Sequence, residues 1–159
     1  MEKIKKIINN PKFVEKINQL KEYEKDRVFC NHTLEHFIDV ARIMYIMSLE
    51  NNENLDKELI YATALLHDLG RVYQYKDGTP HNIAGHEMIS EIMENAGFDS
   101  ESITRTLNAI KSHRDLADSQ DVLATYLYKA DKKSRNCFNC QAYEQCNWNQ
   151  NKKNMTIEI

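Results

Sequence analysis

The sequence has few residues that break regular structure and no long apolar run. Its 159 residues include only 4 glycines and 2 prolines, so few positions would interrupt a helix. No stretch approaches the run of about 18 apolar residues that crosses a bilayer. The beginning, MEKIKKIINN, also lacks the apolar core of a signal peptide. We therefore expect a cytoplasmic protein that has no membrane partner.

A strong charge of one sign is also absent. The formal net charge is −3, from 21 basic and 24 acidic residues that are interspersed along the chain. A general binder of DNA or RNA carries a basic stripe or patch, and none is visible here. We expect no duplex nucleic acid as a partner, so any contact with a nucleotide must be local.

The residues that are present favour one all-α domain over residues 1–159. Hydrophobic residues make up 42% of the chain, and they recur at intervals of three or four. This spacing predicts a single-domain bundle of about six helices and almost no strand. The predicted helices include one short helix around residues 13–20 and five more at about 32–50, 56–70, 79–95, 99–113 and 119–133.

Local signals mark several of the predicted helix ends. Asp56 is a suitable N-cap, and Gly70 ends the helix that follows it. Thr79 and Pro80 are interpreted as the N-cap and first residue of the next helix, which would end before Gly97.

The dipeptide His67-Asp68 falls on the most apolar helix of the chain. A buried imidazole and a buried carboxylate without partners would each cost several kcal/mol. A divalent cation would compensate both, because it accepts a neutral imidazole nitrogen together with a carboxylate oxygen. A core histidine beside a salt-bridged aspartate is the alternative for this dipeptide taken alone.

Further residues extend this pair into an ordered motif. His36 in HFIDVAR, His67-Asp68 in LLHDLGR and Asp131 in LYKADK resemble the H…HD…D signature of the HD superfamily of metal-dependent phosphohydrolases. The resemblance covers about residues 29–135 and leaves 136–159 as a cysteine-containing C-terminal extension. It implies a helical bundle in which these four residues bind one metal ion.

Two more histidines resemble ligands for a second metal ion. His81 in HNIAG and His113 in AIKSH match positions that binuclear branches use, such as the HD-GYP cyclic-dinucleotide phosphodiesterases and the symmetrical dinucleoside-tetraphosphate hydrolases. The sequence departs from HD-GYP proteins because it lacks GYP and because Arg114, not a second histidine, follows His113. Cleavage of a cyclic dinucleotide is therefore less favoured than hydrolysis of a smaller or linear substrate.

These ligands predict a reaction and its cofactors. Six ligands, of which only two are carboxylates, would leave two divalent ions with net positive charge, which attracts phosphoryl oxygens. We expect one or two ions of Mn, Fe, Co, Mg or Zn, with Asp68 bridging them and activated water as the nucleophile. The predicted activity is hydrolysis of a phosphate ester or anhydride of a nucleotide-like substrate. The oligomeric state is not predicted.

Several basic and histidine side chains are candidates for substrate contact. Arg71, one turn after His67, ranks first as a catalytic grip on a phosphate oxygen, and the remaining basic candidates are Arg114, Lys132 and Arg135. A solvated surface position is the alternative for each of them. His32 is expected to contact substrate or orient a ligand, or else to be a polar residue at a helix start. His86 is expected off the face of His81, since five helical residues turn the side chain by about 140°.

The four cysteines form a separate candidate site. Cys137, Cys140 and Cys146 are spaced C-x2-C-x5-C. Cys30 lies six residues before His36, and Cys137 lies six residues after Asp131, so a shared metal ion would bring the two regions together. A structural zinc ion on four thiolates is the first interpretation. Free thiols and an iron–sulfur cluster remain alternatives.

Two other functions use the same pocket. Some HD-type proteins resemble mixed-valent di-iron oxygenases, in which equivalent ligands activate oxygen. A non-catalytic sensor that binds a nucleotide is the second alternative, although a binder has no need of an open metal position.

Overall fold

The computed structural model describes residues 1–114 and 120–157, and these residues form eight α-helices and three 3-10 turns without a strand. In chain order the helices are α1 Glu2–Ile8, α2 Pro11–Tyr23, α3 Leu34–Glu50, α4 Lys57–Leu66, α5 Arg71–Asp77, α6 His86–Ala96, α7 Ser100–Ser112 and α8 Val122–Lys133. The 3-10 turns are Cys137–Asn139, Tyr143–Gln145 and Gln150–Lys152. The predicted all-α fold is confirmed, with more helices than the six expected.

Four helices form the centre of the bundle. Helix α3 packs against α4 and α8, and α7 packs against α4 and α8. Helices α1 and α6 pack on one another beside this centre, and α2 packs against α5. One continuous hydrophobic core runs from Ile4 in α1 to Ala130 in α8. Of the described helices, none is both long and apolar enough to span a bilayer.

Short-range capping signals identified several helix ends correctly. The Asp56 carboxylate accepts a hydrogen bond from the Leu59 amide at 2.8 Å and begins α4. Gly97 ends α6 with φ of 92°, a left-handed conformation that glycine adopts without strain. The expected start of the last helix at residue 119 lies outside the described residues.

Two predicted boundaries were wrong, and two short helices were not predicted. Helix α4 ends at Leu66, so the predicted helix 56–70 is α4 followed by a turn. Thr79 and Pro80 do not begin a helix: the chain turns over residues 81–85, and α6 starts at His86 with Gly85 as its cap. Helices α1 and α5, each of seven residues, were not predicted. Their shortness is the reason, because two turns give little periodicity to detect.

Candidate metal centre

The His67-Asp68 dipeptide lies in a tight turn directly after α4, which corrects the expectation that it sits on the helix. His67 keeps helical dihedrals, with φ of −60° and ψ of −36°, and the chain turns through Gly70 into α5. A Cβ atom at Gly70 would lie 2.1 Å from the carbonyl oxygen of His81 and 2.7 Å from that of Ala84. Glycine therefore allows this turn to touch the turn that carries His81.

Five chain segments bring the predicted ligands together. His36 comes from α3, His67 and Asp68 from the turn, His81 from the 81–85 turn, His113 from the end of α7, and Asp131 from α8. Their donor atoms form two groups, each within 4.8 Å: the first comprises His36, His67, Asp68 and Asp131, and the second comprises Asp68, His81 and His113. Asp68 belongs to both groups, which is the position that a bridging carboxylate requires.

Three of the histidines have a tautomer fixed by their surroundings. Nδ1 of His67 and Nδ1 of His113 each face the carbonyl oxygen three residues earlier. Nδ1 of His81 lies 2.7 Å from Oε1 of Gln74. A carbonyl or amide oxygen can only accept, so each imidazole carries its proton on Nδ1. Nε2 of the neutral ring is then a lone-pair donor, the form in which histidine binds metal.

The Nε2 atoms of these rings converge on the carboxylate of Asp68. Nε2 of His67 lies 3.2 Å from Oδ2, whereas Nε2 of His81 and Nε2 of His113 lie 3.5 and 3.7 Å from Oδ1. Nε2 of His81 is also 3.2 Å from Nε2 of His113. Lone pairs that face one another at such distances repel unless a cation lies between them.

Burial sets the protonation of most of the cluster. The pKa of His36 and that of His113 are lowered to about 4, and that of His81 to about 3, in each case chiefly because burial disfavours the imidazolium. His67 differs: burial acts to lower its pKa, but Asp68 and Asp131 outweigh burial and raise it to about 9. Without a cation, His36, His81 and His113 are therefore neutral, whereas His67 holds a proton beside Asp68 and Asp131. A metal ion on Nε2 of His67 would replace that proton.

One orphaned atom tests whether this cluster fits a metal ion. Nε2 of His67 is fully buried and, although it lies 3.2 Å from Oδ2 of Asp68, makes no hydrogen bond of acceptable geometry. No other buried side-chain nitrogen or oxygen of the described residues shares this condition. Leaving such an atom unpaired costs about 1–3 kcal/mol. Imidazole nitrogens and carboxylate oxygens are ligands of divalent transition metals, so the donor set fits such an ion.

His32 lies beside this cluster although it belongs to neither donor group. Nε2 of His32 is 3.5 Å from Oδ2 of Asp68. Its Nδ1 contacts Oε1 of Glu24 at 2.6 Å, and its backbone amide donates to Oε2 of Glu24, also at 2.6 Å. The Tyr75 hydroxyl donates to Oε1 of Glu24 at 2.6 Å. Glu24 thus orients His32 toward Asp68, which places His32 against a predicted ligand. Its contact with substrate stays a prediction.

The basic residues predicted to contact substrate lie in different surroundings. Nε of Arg71 donates to Oδ1 of Asp68 at 2.9 Å, and Arg114 lies on the wall of the cavity described below. Nη2 of Arg135 is 2.8 Å from Nε2 of His36, so a metal ion on that nitrogen would displace this contact. Lys132 does not line this cavity: its Nζ contacts Oδ2 of Asp131 and the carbonyl oxygen of His113, each at 3.1 Å. Its predicted contact with substrate is therefore not favoured.

A cavity of about 600 Å³ opens beside the cluster. His32 and Asp131 are part of its wall, and Asp131 is its sole acidic residue among those described. Its basic residues are Arg27, Arg71, Arg114, Arg135 and Lys153, and its aromatic residues are Phe29, Tyr75, Tyr143 and Trp148. The cavity therefore combines positive charge with flat apolar surfaces.

The four cysteines and His86 are the remaining residues that the sequence singled out. All four cysteines line this cavity as free thiols. Among the described residues, no three of their sulfurs lie within 4.8 Å of one another, so the compact arrangement that a zinc ion needs is not formed, and the zinc stays a prediction. His86 lies outside both donor groups and contacts the carbonyl oxygen of Asn82 at 3.0 Å.

Three residues that hold the histidines in place were not predicted from the sequence. These are Glu24, Gln74 and Ser134, whose Oγ lies 3.1 Å from Nδ1 of His36. A signal for Glu24 was available, because the helical spacing of Phe13, Ile17 and Leu20 continues to position 24. A carboxylate on the buried stripe of a helix needs a partner. No comparable signal marks Gln74, which lies on the unpredicted α5.

Comparisons with known proteins agree with this geometry. The family model described as HD domain matches residues 33–136. An uncharacterised protein of Clostridium beijerinckii is 41% identical over 157 residues, which is 99% of each chain. No solved structure matches the chain.

Two further relatives are larger proteins. Ribonuclease Y 1 of Pediococcus pentosaceus and ribonuclease Y of Fusobacterium nucleatum are each 29% identical over 122 residues, which is 77% of this chain. The chain spans only 21% and 22% of their respective lengths. The family match covers well over half of the chain and includes His36, the His67-Asp68 pair and Asp131. The chain therefore belongs to the HD-domain family, within the superfamily of metal-dependent phosphohydrolases.

Proposed function

We propose that this protein hydrolyses a phosphate ester or anhydride of a nucleotide-like substrate at a binuclear metal centre. His36, His67, Asp68 and Asp131 would hold one divalent ion, and Asp68, His81 and His113 would hold the second. When bound, the ions would supply Lewis-acid chemistry that activates water and neutralises phosphoryl charge. No protein nucleophile is needed.

The observation that carries this proposal is the convergence of imidazole Nε2 atoms on both oxygens of one carboxylate. His67 approaches Oδ2 of Asp68, whereas His81 and His113 approach Oδ1. The two faces of Asp68 are thereby supplied with separate lone-pair donors. This division is what a carboxylate that bridges two ions requires, and a mononuclear site would not use the Nε2 atoms of His81 and His113.

The protein residues have distinct parts in the proposed reaction. Asp68 orients the two halves of the centre, and Arg71 holds Asp68 through its Nε atom at 2.9 Å. Arg71 also lines the cavity. Its guanidinium has further N–H groups that could donate to a phosphoryl oxygen. Arg114 lies on the same wall and would contact a second anionic group of the substrate.

The composition of the cavity supports a nucleotide-like substrate. Its basic residues suit phosphate oxygens, and aromatic side chains such as Tyr75 and Trp148 offer planar surfaces on which a base can stack. A volume of about 600 Å³ suits a small ligand. Two relatives are named ribonuclease Y, which supports a ribonucleotide phosphodiester as one of the substrates to test.

The test is a substrate panel with defined metal ions. Metal-free protein would be supplied with manganese, iron, cobalt or magnesium and offered nucleotides, linear dinucleotides, sugar phosphates and a short oligoribonucleotide. We expect metal-dependent release of phosphate or nucleotide from at least one phosphorylated compound. The Asp68→Asn variant should lose at least about 100-fold of this activity, because the bridging charge is gone.

Asp39→Asn is the matched control, since Asp39 is an exposed aspartate of α3, the helix that also carries His36. Its activity should equal that of the unchanged protein. Oxygen uptake would be measured in parallel. Substrate-dependent oxygen consumption without hydrolysis would contradict the proposal and support the di-iron oxygenase, and binding without turnover under every metal would support a sensor.

A further inference from the structure

A second group of side chains that can bind metal lines the same cavity as His32 and Asp131. Cys30 precedes α3, and Cys137, Cys140 and Cys146 follow α8, yet all four line one cavity. Arg135 joins these segments, and Arg27 stabilises the Cys30 segment from within it. Nη1 of Arg135 donates to the carbonyl oxygen of Asn31 at 2.7 Å, and Nε of Arg27 donates to that of Cys30 at 3.0 Å.

The C-terminal cysteines sit on consecutive tight turns. The amide of Cys140 donates to the carbonyl oxygen of Cys137 at 3.3 Å, that of Tyr143 to Cys140 at 3.2 Å, and that of Cys146 to Tyr143 at 3.2 Å. Turns of this kind bring cysteines that are distant in an extended chain to one side of the backbone, as in known C-x2-C metal sites.

This segment has little core of its own. Of residues 136–157, only Cys137 and Ala142 are buried. Two small side chains do not bury enough apolar surface to offset the conformational entropy of ordering a segment of this length. Small segments that lack a core are commonly held by a metal or a cluster, whose binding energy becomes folding energy.

The distances between the cysteine sulfurs favour a cluster over a single ion. Four thiolates around one zinc ion lie about 4 Å apart, since each Zn–S bond is about 2.3 Å. Here no three sulfurs of the described residues fall within 4.8 Å. They are nevertheless neighbours, because all four cysteines line one cavity, and Cys30, Cys137 and Cys140 also line a second, smaller one.

We propose that Cys30, Cys137, Cys140 and Cys146 bind an iron–sulfur cluster of the four-iron type, which fastens the C-terminal segment over the cavity. In such a cluster each thiolate binds a different iron atom, so the sulfurs stand farther apart than around one ion. Arg27, Arg135 and Lys153 line the same cavity and balance the negative charge of the cluster and its thiolates. The proposed role is structural and needs no electron transfer.

The experiment measures acid-labile sulfide in the full chain purified without oxygen from iron-supplied cells. We expect about four sulfide and at least four iron ions per chain, together with visible absorption that dithionite reduces. Sulfide is decisive because iron at the histidine cluster brings none. Metallated protein that contains no sulfide, or one zinc ion held by the thiols, would overturn the proposal without any variant having to fold.

Paired variants separate this site from the histidine cluster. Cys140→Ser should lose sulfide and visible absorption while keeping the metal of the histidine cluster, and Asp68→Ala should do the reverse. Asn139→Ser is the control, because Asn139 is an exposed residue of the same turn without a thiol, and it should retain sulfide. Sulfide reports on the cluster, whereas the metal at the histidines is counted separately. Failure of the cluster proposal therefore leaves the proposed hydrolase function untouched, and failure of the hydrolase function leaves the cluster proposal untouched. Unchanged sulfide in Cys140→Ser would contradict the assignment.

Discussion

At the scale of single residues, the contacts of the two ring nitrogens decide which histidines can offer Nε2 to a metal ion. His67, His81 and His113 each face an acceptor oxygen on that side, so Nε2 is left for a ligand. His86 instead uses Nε2 for the carbonyl oxygen of Asn82. Two histidines five residues apart, His81 and His86, therefore have opposite prospects as metal ligands.

This difference predicts a change in metal content. Replacing His81 by alanine removes one of the three donors of the second group, which are Asp68, His81 and His113. We therefore expect the bound metal to fall from two ions per chain to one. His86→Ala is the matched control and should keep two ions. Metal per chain would be measured by mass spectrometry after gel filtration, in chain reconstituted with manganese so that cluster iron does not interfere. Two ions in His81→Ala would contradict the assignment of the second site.

Glu24 predicts a specific dependence of stability on pH. Burial acts to raise its pKa, but hydrogen bonds from His32 and Tyr75 prevail and lower it from 4.5 to about 2. The unfolded chain therefore takes up a proton at Glu24 at a higher pH than the folded chain does. This contribution to the free energy of unfolding is complete above about pH 4.5 and is lost as the pH falls toward 2.

Urea unfolding at several acidic pH values, with EDTA present, would measure this effect. Glu24→Gln should show a shallower loss of stability between pH 4.5 and 2 than the unchanged protein. Glu22→Gln, which alters an exposed glutamate of the same helix, should follow the unchanged protein. Identical slopes for Glu24→Gln and the unchanged protein would show that the buried network does not hold the Glu24 charge.

At the scale of elements, the site depends on two turns that touch through Gly70. An added methyl group there would meet the carbonyl oxygens of His81 and Ala84 at 2.1 and 2.7 Å, and backbone atoms cannot move aside as a flexible side chain can. We expect Gly70→Ala to push His81 away from Asp68. The variant should lose the second metal ion and unfold at a lower urea concentration.

Gly78→Ala provides the comparison for this prediction. Gly78 has φ of 82°, and nothing lies within 4 Å of a Cβ atom added there. The left-handed backbone should cost about 1–2 kcal/mol in unfolding free energy, but the metal content should not change. Equal metal content in both glycine variants would contradict the importance of the Gly70 contact.

The sequence predicted the elements whose signals are local. Asp56 and Gly97 mark helix ends through their own hydrogen bonding and φ preference, so both were identified. The turn at residues 81–85 was missed because Thr79 and Pro80 are as compatible with a turn as with a helix start. Only the contact of this turn with Gly70, a tertiary interaction, decides between them.

The candidate site was more predictable than the helix boundaries around it. Histidine and aspartate pairs that must be buried together leave a strong pattern in the sequence, and His36, His67, Asp68, His81, His113 and Asp131 meet as expected. The wrong placement of His67-Asp68 on a helix did not affect this grouping of ligands, because the turn keeps His67 near helical geometry. The supporting residues could not be predicted in the same way, since Gln74 and Ser134 have no pattern of their own.

At the scale of the whole molecule, the metal centre joins parts of the chain that are far apart in sequence. Its donors come from α3, the two turns, the end of α7 and α8, and the helices among these elements form the centre of the core. An unfolded chain holds these donors far apart and cannot offer a preformed site. Metal binding should therefore stabilise the folded state of the entire bundle.

Removal of metal tests this coupling. At a free metal concentration 100 times the dissociation constant, each independent site adds about 2.7 kcal/mol to the free energy of unfolding. EDTA should lower the thermal midpoint of the unchanged protein, and manganese added back should restore it. Asp68→Ala should show little difference between EDTA and manganese. A midpoint of the unchanged protein that does not respond to EDTA would contradict the coupling.

Two parts of the cavity lining differ in their origin, and this difference has an evolutionary consequence. Part of the lining comes from residues 27–135, which include His32 and Asp131, whereas residues 137–153 supply the rest through side chains such as Tyr143, Trp148 and Lys153. The second part lies beyond the segment that matches the HD family, which ends at residue 136. Substitutions at Tyr143, Trp148 or Lys153 can therefore change which molecules the cavity admits without altering a donor of the metal centre, so the choice of substrate and the reaction centre can evolve separately.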